Sequence, residues 1–322
     1  MFLFYKEVSM KTKLTELLGI KYPIIQGPMA WITEAKLAAA VGEAGGVGII
    51  GSGGRQADWL RNEINAVRSA TDKIFGVNIV LMDKNKDDLL KVTIEEKVPV
   101  VTLGAGNPVP YIRMLKEAGI KVICIVPNLK LAKRVEDNDA DAIVIEGMEA
   151  GGHIGTLTTM ALMTQIIPEM KIPVIAAGGF ADGRGMASAL LMGAAGIQVG
   201  TAFLLAEECQ VHGNFKEKLL QAQDTDTVVT AYGRSHATRG LKNAFTEEYL
   251  RLERQGSAEE ELDRLAAGSN FKAAVKGDVE NGSVQAGQCL SILKEIRPAK
   301  AIIDDFIQVA TDVLRNAPSL VE

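Results

Sequence analysis

Cysteine is scarce in this 322-residue chain, and the three present, Cys124, Cys209 and Cys289, stand far apart with no CxxC pair. That argues against a disulfide framework and against a cysteine-bound zinc, and it fits a reducing cytoplasm. Histidine is equally sparse. His153, His212 and His236 form no HExxH pattern, so no metal site is expected. A basic excess is missing too: the formal net charge is −5, which makes nucleic acid a poor partner. No window approaches the roughly eighteen uncharged apolar residues of a membrane span. The N-terminus reaches Lys6 and Glu7 too soon for a signal segment, and residues 1–9 read as an extension ahead of the domain proper.

What is present is a globular composition, 47% hydrophobic against 23% charged, organised as one repeated beat. A short apolar run, a glycine-rich turn and a helical segment follow one another along the chain. The apolar runs lie at 22–29, 46–51, 75–81, 98–105, 121–127, 142–147, 173–179 and 196–203. Helical periodicity occupies 33–44, 58–70, 87–97, 110–118, 129–137, 159–170 and 182–192. Each run is apolar on successive residues, as strands buried on both faces of a parallel sheet should be. The pattern predicts an α/β fold, a (β/α)8 TIM barrel, with a doubly wound sheet as the alternative. Beyond the eighth strand, 207–267 is charged and reads as a small, largely helical cap or lid. Residues 10–206 and 268–322 then make up the barrel, with 268–287 loop-like and 299–315 a closing amphipathic helix.

Three motifs carry chemistry. Gly46-Val47-Gly48-Ile49-Ile50-Gly51 spells GxGxxG, but Val47, Ile49 and Ile50 make it a strand rather than a dinucleotide turn. Its glycines then serve close approach by a ligand or by neighbouring backbone. Ala176-Ala177-Gly178-Gly179-Phe180-Ala181-Asp182 ends strand seven, with Asp182 as helix N-cap, and Gln198-Val199-Gly200-Thr201 ends strand eight. Loops in those two places commonly bind phosphate through backbone N–H groups, and the Thr201 hydroxyl can donate as well; the bland alternative is a pair of tight turns.

The third motif is Glu149-Ala150-Gly151-Gly152-His153-Ile154-Gly155, a glycine-rich, flexible loop that presents a proton or hydrogen-bond donor just after strand six. His212 reads as surface. His236 lies near Arg234, Arg239 and Lys242, a basic stretch that is either a solvated face or a contact for phosphate or an acidic partner. Asn78 interrupts an apolar strand, so its amide bonds either a planar heterocycle or the next strand. Met29 closes strand one, as core or with its N–H facing the mouth.

From Met10 onward the chain resembles the FMN-dependent enoyl-acyl-carrier-protein reductases (enoyl-ACP reductase II), relatives of the nitronate monooxygenases. The resemblance rests on Tyr22-Pro23-Ile24-Ile25-Gln26-Gly27-Pro28-Met29-Ala30-Trp31, Gly76-Val77-Asn78-Ile79, Gly104-Ala105-Gly106-Asn107-Pro108, and the segments 146–159, 176–182 and 198–201. It implies FMN held by Gly27, Met29, Asn78, Glu146, Gly151, Gly178, Gly179, Gln198, Gly200 and Thr201. It places His153 nearest the substrate, as carbonyl polariser or proton donor. NAD(P)H would be the reductant, an acyl carrier protein would present the trans-2-enoyl thioester, and the protein would be a homodimer. Hydride would pass through flavin N5 to the enoyl β-carbon in bacterial-type fatty-acid elongation. Glu146 stands where nitronate monooxygenases tend to carry Gln, and 237–245 and 282–288 are similar to the reductase branch, although Gln285 occupies a position where some reductases have Met. Two other readings stay open: a nitronate monooxygenase using FMN and oxygen, and a barrel that senses a phosphorylated ligand. Arg234, Arg239 and Lys242 are candidate docking charges for an acidic carrier.

Overall fold

A computed structural model describes residues 9–234 and 236–320, so nearly all of the expected extension at 1–9 lies outside the described residues. The strands are β1 (Ile24–Gln26), β2 (Gly48–Gly51), β3 (Phe75–Val80), β4 (Val100–Gly104), β5 (Lys121–Val126), β6 (Ala142–Glu146), β7 (Gly152–His153), β8 (Val174–Ala177), β9 (Gly196–Val199), β10 (Thr227–Thr230) and β11 (Thr238–Leu241). Eight of them form one parallel sheet in the order β1-β9-β8-β6-β5-β4-β3-β2. A parallel bridge between Ile25 and Val47 joins its two ends, with Gln26 N–H donating to Val47 O and Val47 N–H to Ile24 O, both at 2.9 Å. That bridge closes the barrel and rules out the doubly wound alternative.

Burial on both faces of the strands explains the unbroken apolar runs. Ile25, Ile49, Val100, Val144 and Ile175 point into the barrel, where Leu14 and Leu18 of the helix Lys13–Leu18 plug its floor. Their neighbours Ile24, Ile50, Val101, Ile143 and Ala176 point outward under the helices, the period-two alternation of a strand. The glycines of β2 are there for backbone approach. A Cβ on Gly48 would fall 2.1 Å from Ala38 O of the helix Ala35–Glu43 that crosses it.

The expected helices form within one or two residues of their predicted ends. That at Thr159–Ile166 tightens into a 3-10 turn at Ile167–Glu169, where Pro168 supplies no N–H. Helix Ala299–Asn316 packs against Ala35–Glu43 and Gly183–Leu191 and covers the seam between first and last barrel strands. Two expectations need correction. Segment 268–287 is not all loop, since Ser269–Ala274 is helical. Segment 207–267 holds the helices Gly213–Gln221, Ala244–Arg254 and Glu259–Ala266, but it also contains β10 and β11, an antiparallel pair. Strand β11 pairs in turn with β7, so the excursion is stitched to the barrel rather than resting on it. No helix among the described residues is long and apolar enough to cross a membrane.

Candidate functional site

The candidate residues gather at the C-terminal ends of the barrel strands, the face where barrels of this type carry their chemistry. His153 sits on β7, where it pairs with Thr238 while Gly152 pairs with Arg239. Ile154 N–H donates to Ala237 O at 2.9 Å, continuing that ladder. The loop is therefore a pinned strand edge, not the flexible segment its three glycines suggest.

Three further ties hold it. The guanidinium of Arg239 donates to Met148 O at 2.9 Å and to Thr227 Oγ1 at 3.0 Å, which buries the side chain. Arg239 is thus no docking charge; Arg234 and Lys242 are the exposed cations of that stretch. Both carboxylate oxygens of Glu149 accept from Thr159 N–H, at 3.0 and 2.9 Å, and so cap from outside a helix whose own N-cap residue, Thr158, makes no side-chain bond. The Glu149 carbonyl accepts from Gln288 N–H at 2.9 Å, bringing segment 282–288 against the loop. There Gln285 approaches Gly152: a Cβ on that glycine would lie 3.2 Å from Gln285 Oε1. Glu149 and Arg239 escaped the reading of the sequence as site residues because their partners lie far along the chain.

The ring of His153 keeps access to solvent, yet the protein around it strips much of its hydration. Burial first, and the neighbouring His236 second, hold its pKa below the ordinary imidazole value. At neutral pH it is an uncharged N–H donor. His236 Nε2 is itself buried without a hydrogen-bond partner. His212 is exposed as expected and caps helix Gly213–Gln221 through its ring nitrogen, which accepts from Asn214 N–H at 3.1 Å. Glu146 ends β6 with no partner for its carboxyl, and burial pushes its pKa up from 4.5 to about 7.

The glycines divide into two groups. A Cβ on Gly27 would meet the Gly200 backbone at 3.4 Å, on Gly151 the Ala286 backbone at 2.5 Å, and on Gly178 the Gly147 carbonyl at 2.8 Å. These three serve chain packing. Gly179 and Gly200 differ: a Cβ there would meet only Glu149 Cβ at 3.5 Å and Met29 Sδ at 3.9 Å. Open space therefore fronts both. Asp182 takes Arg184 N–H and Gly185 N–H, as an N-cap should, so the helix N-terminus is already filled. Among the described residues the amides of Gly179 and Phe180 have no acceptor, and the Thr201 hydroxyl accepts from Gly287 N–H at 3.0 Å while keeping its own proton to donate. Deeper in, Gln198 is buried with Oε1 unpartnered.

An orphaned amide oxygen beside two open glycines is what a flavin with its phosphate would satisfy, so this set fits the cofactor that the resemblance implies. Two expected contacts are altered. Met29 N–H is not free at the mouth but donates to Thr33 Oγ1 at 3.0 Å. Asn78 bonds the next strand, its amide reaching Thr102 O at 3.2 Å and Thr102 Oγ1 at 3.0 Å.

The profile of the nitronate monooxygenase family matches residues 11–308. The chain belongs to that family. Membership makes it an oxidoreductase. It is 33% identical to a hydroxy-methyl-oxo-octahydroindene-carboxyl-CoA dehydrogenase of Mycobacterium tuberculosis, over 98% of this chain and 100% of the relative. It is 32% identical to a probable nitronate monooxygenase of Staphylococcus aureus, over 95% and 99%. Among solved structures, FabK from Thermotoga maritima superposes with a TM-score of 0.94 at 47% identity, covering 97% of this chain and 100% of that one. The resemblance to FabK-type enzymes within this family is thereby established.

Two outcomes follow from this geometry. Arg239→Ala leaves Met148 O without its buried partner and should cost about 1–3 kcal/mol in a urea melt. The amide of Ile154 should then exchange hydrogen faster, and unchanged exchange there would show that the β7–β11 pairing does not depend on Arg239. For Glu146, the folded chain holds its proton to about 7 while the unfolded chain releases it near 4.5. The folded state binds more protons between those values, so this group's contribution to stability falls as pH rises through that window. In flavin-free protein, Glu146→Gln should gain on the wild type by about 1–3 kcal/mol between pH 5 and pH 8; parallel pH curves for the two would refute the raised pKa.

Proposed function

We propose that the chain is an FMN-dependent, NAD(P)H-using reductase of trans-2-enoyl thioesters, with an acyl carrier protein presenting the substrate for fatty-acid elongation. One observation carries this reading: the mouth offers an uncharged imidazole and a partly protonated carboxyl, while the guanidinium of Arg239 is turned away into Met148 O. Such a mouth suits a neutral carbonyl. A nitronate is an anion, and it would meet Glu146 once that group ionises, while Arg239 is already committed to Met148 O and Thr227. The likeness to FabK along the whole chain supports the same choice, and the relative acting on a CoA thioester shows that thioesters are within the family's range.

Bound FMN would supply the hydride relay from NAD(P)H to the enoyl β-carbon. Gln198, the Gly179–Phe180 amides, Gly200 and the Thr201 hydroxyl would hold it. His153 would aim its N–H at the thioester carbonyl oxygen and stabilise the negative charge that gathers there as the β-carbon is reduced, and the resulting enolate would take its α-carbon proton from solvent. Its lowered pKa favours hydrogen bonding over outright proton donation, because little imidazolium is present at neutral pH. The β7–β11 ladder fixes the backbone that carries the ring, so less ordering would be required at the moment of reaction. Arg234 and Lys242 remain the exposed charges available to an acidic carrier.

The deciding assay runs crotonyl-CoA with NADH and NADPH in parallel, against oxygen uptake with a nitronate and no pyridine nucleotide. Enoyl-dependent NAD(P)H oxidation is expected. Oxygen uptake with the nitronate alone would move the assignment to the monooxygenase, and a protein that takes up no flavin would move it to a phosphate-binding sensor. His153→Ala should lower turnover by ~10²–10⁴ with FMN still bound. Wild-type turnover in that variant would remove His153 from the reaction.

A further inference from the structure

We propose that a cavity at the rim of the barrel mouth binds a phosphate group of an incoming substrate, either the diester phosphate of the thioester's pantetheine arm or the ribose phosphate of the reducing nucleotide. The cavity holds about 360 Å³ and is lined by Gly106, Asn107, Asn128, Lys130, Leu131 and Arg134. It lies in the loops after β4 and β5, on the same face as His153. It also adjoins the histidine loop, since a Cβ on Gly155 would lie 3.3 Å from Pro127, the residue before Asn128. It is separate from the flavin cradle, which the loops after β8 and β9 form.

The charge pattern points to an anion. Lys130 and Arg134 stand one turn apart on helix Leu129–Glu136, where like charges repel. Neighbouring cations have relief: Arg113 pairs with Glu117 at 2.8 Å, Lys116 with Asp141 at 2.7 Å and Lys133 with Glu169 at 2.6 Å. Among the described residues, Lys130 and Arg134 have no acidic partner, and no acid lines the cavity. In a chain of net charge −5, that is a local reversal of sign.

The two asparagines add donors. Asn128 Oδ1 accepts from Leu131 N–H at 2.9 Å and Asn107 Oδ1 from Val109 N–H at 3.4 Å. With both oxygens turned to backbone, each side chain keeps its NH2 group free. Two cations and two amide donors around one space match the negative charge and free acceptor oxygens of a phosphate group. A pyridine nucleotide would bring its reactive end to the flavin and a pantetheine thioester its own to His153 while their phosphates stay outside, and this rim borders the histidine loop. The inference rests on the proposed reduction for the identity of the ligand, not for the existence of the anion site.

The test uses FMN-loaded protein, so that the flavin's own phosphate site is filled. It is titrated calorimetrically with 4′-phosphopantetheine, adenosine 2′-monophosphate, their unphosphorylated counterparts and inorganic phosphate. One phosphorylated compound should bind at least about tenfold more tightly than its unphosphorylated form. The double variant Lys130→Gln/Arg134→Gln, with FMN content and melting temperature unchanged, should lose about tenfold or more in that affinity. Preference for phosphopantetheine assigns the site to the thioester, and preference for the adenosine phosphate assigns it to the nucleotide. Equal binding by the double variant and the wild type, or binding of inorganic phosphate alone, would overturn the proposal. Phosphate binding without enoyl reduction would sink the proposed activity and leave the site standing; enoyl reduction without any phosphate effect would do the reverse.

Discussion

The two-residue pairing between β7 and β11 is the constraint on which the rest of this site depends. Two ladder positions are little on their own, and an isolated two-stranded element is marginal in water. Here the pairing is held from both ends. Arg239 reaches back to Met148 O, and Glu149 spends its carboxylate on the amide of Thr159. Those ties convert a stretch with three glycines, which would otherwise lose much conformational freedom on binding, into a fixed edge that presents one imidazole. The segment beyond the eighth barrel strand is thereby part of the active face: without β11, His153 would have no partner strand.

Much of this was legible in the sequence because barrel strands advertise themselves. Burial on both faces leaves consecutive apolar residues, and the eight runs from 22–29 to 196–203 coincide with the eight strands of the closed sheet. Asp182 was equally plain, since its acceptor function is satisfied two and three residues on. The misses share one cause, which is that the partner lies far away in the chain. Strand β11 contains Thr238, Arg239 and Gly240, a poor strand by propensity, and it forms because β7 and β10 flank it. Arg239 read as one of a solvated charge run, yet its acceptor lies 91 residues upstream. Met29 is the exception, because its partner Thr33 is only four residues on and could have been seen.

The glycines show why a motif match and a binding role are separate matters. Gly151 and Gly178 belong to the signature, yet each is required where two backbones nearly touch, and Gly27 lies against the Gly200 backbone. Only Gly179 and Gly200 front open space, and beside them lies Gln198 with its unpartnered oxygen. Residues that pack the mouth and residues that face a ligand are thus interleaved along the same loops. A substitution at the first kind would lose the cofactor indirectly, by displacing the chain that carries the second kind.

That interleaving also bears on how one family accommodates relatives named for different reactions. The barrel and its packing glycines are common ground, and a change of reaction cannot come from them without disturbing the fold. It has to come from the rim, where side chains have few structural duties. Among the described residues Glu146 has no partner, the Gln285 amide lies against Gly152, and Lys130 and Arg134 face a cavity with no acid in it. An unpaired carboxyl with a pKa near neutrality disfavours an anionic substrate at the mouth, while unpaired cations a short way along the rim favour an anionic handle there. On the proposed reading, together they would select a molecule whose reacting end is neutral and whose far end carries phosphate. An enoyl thioester on a pantetheine arm has that distribution of charge; a small nitronate, charged at the reacting atoms and with no distant phosphate, has the opposite one.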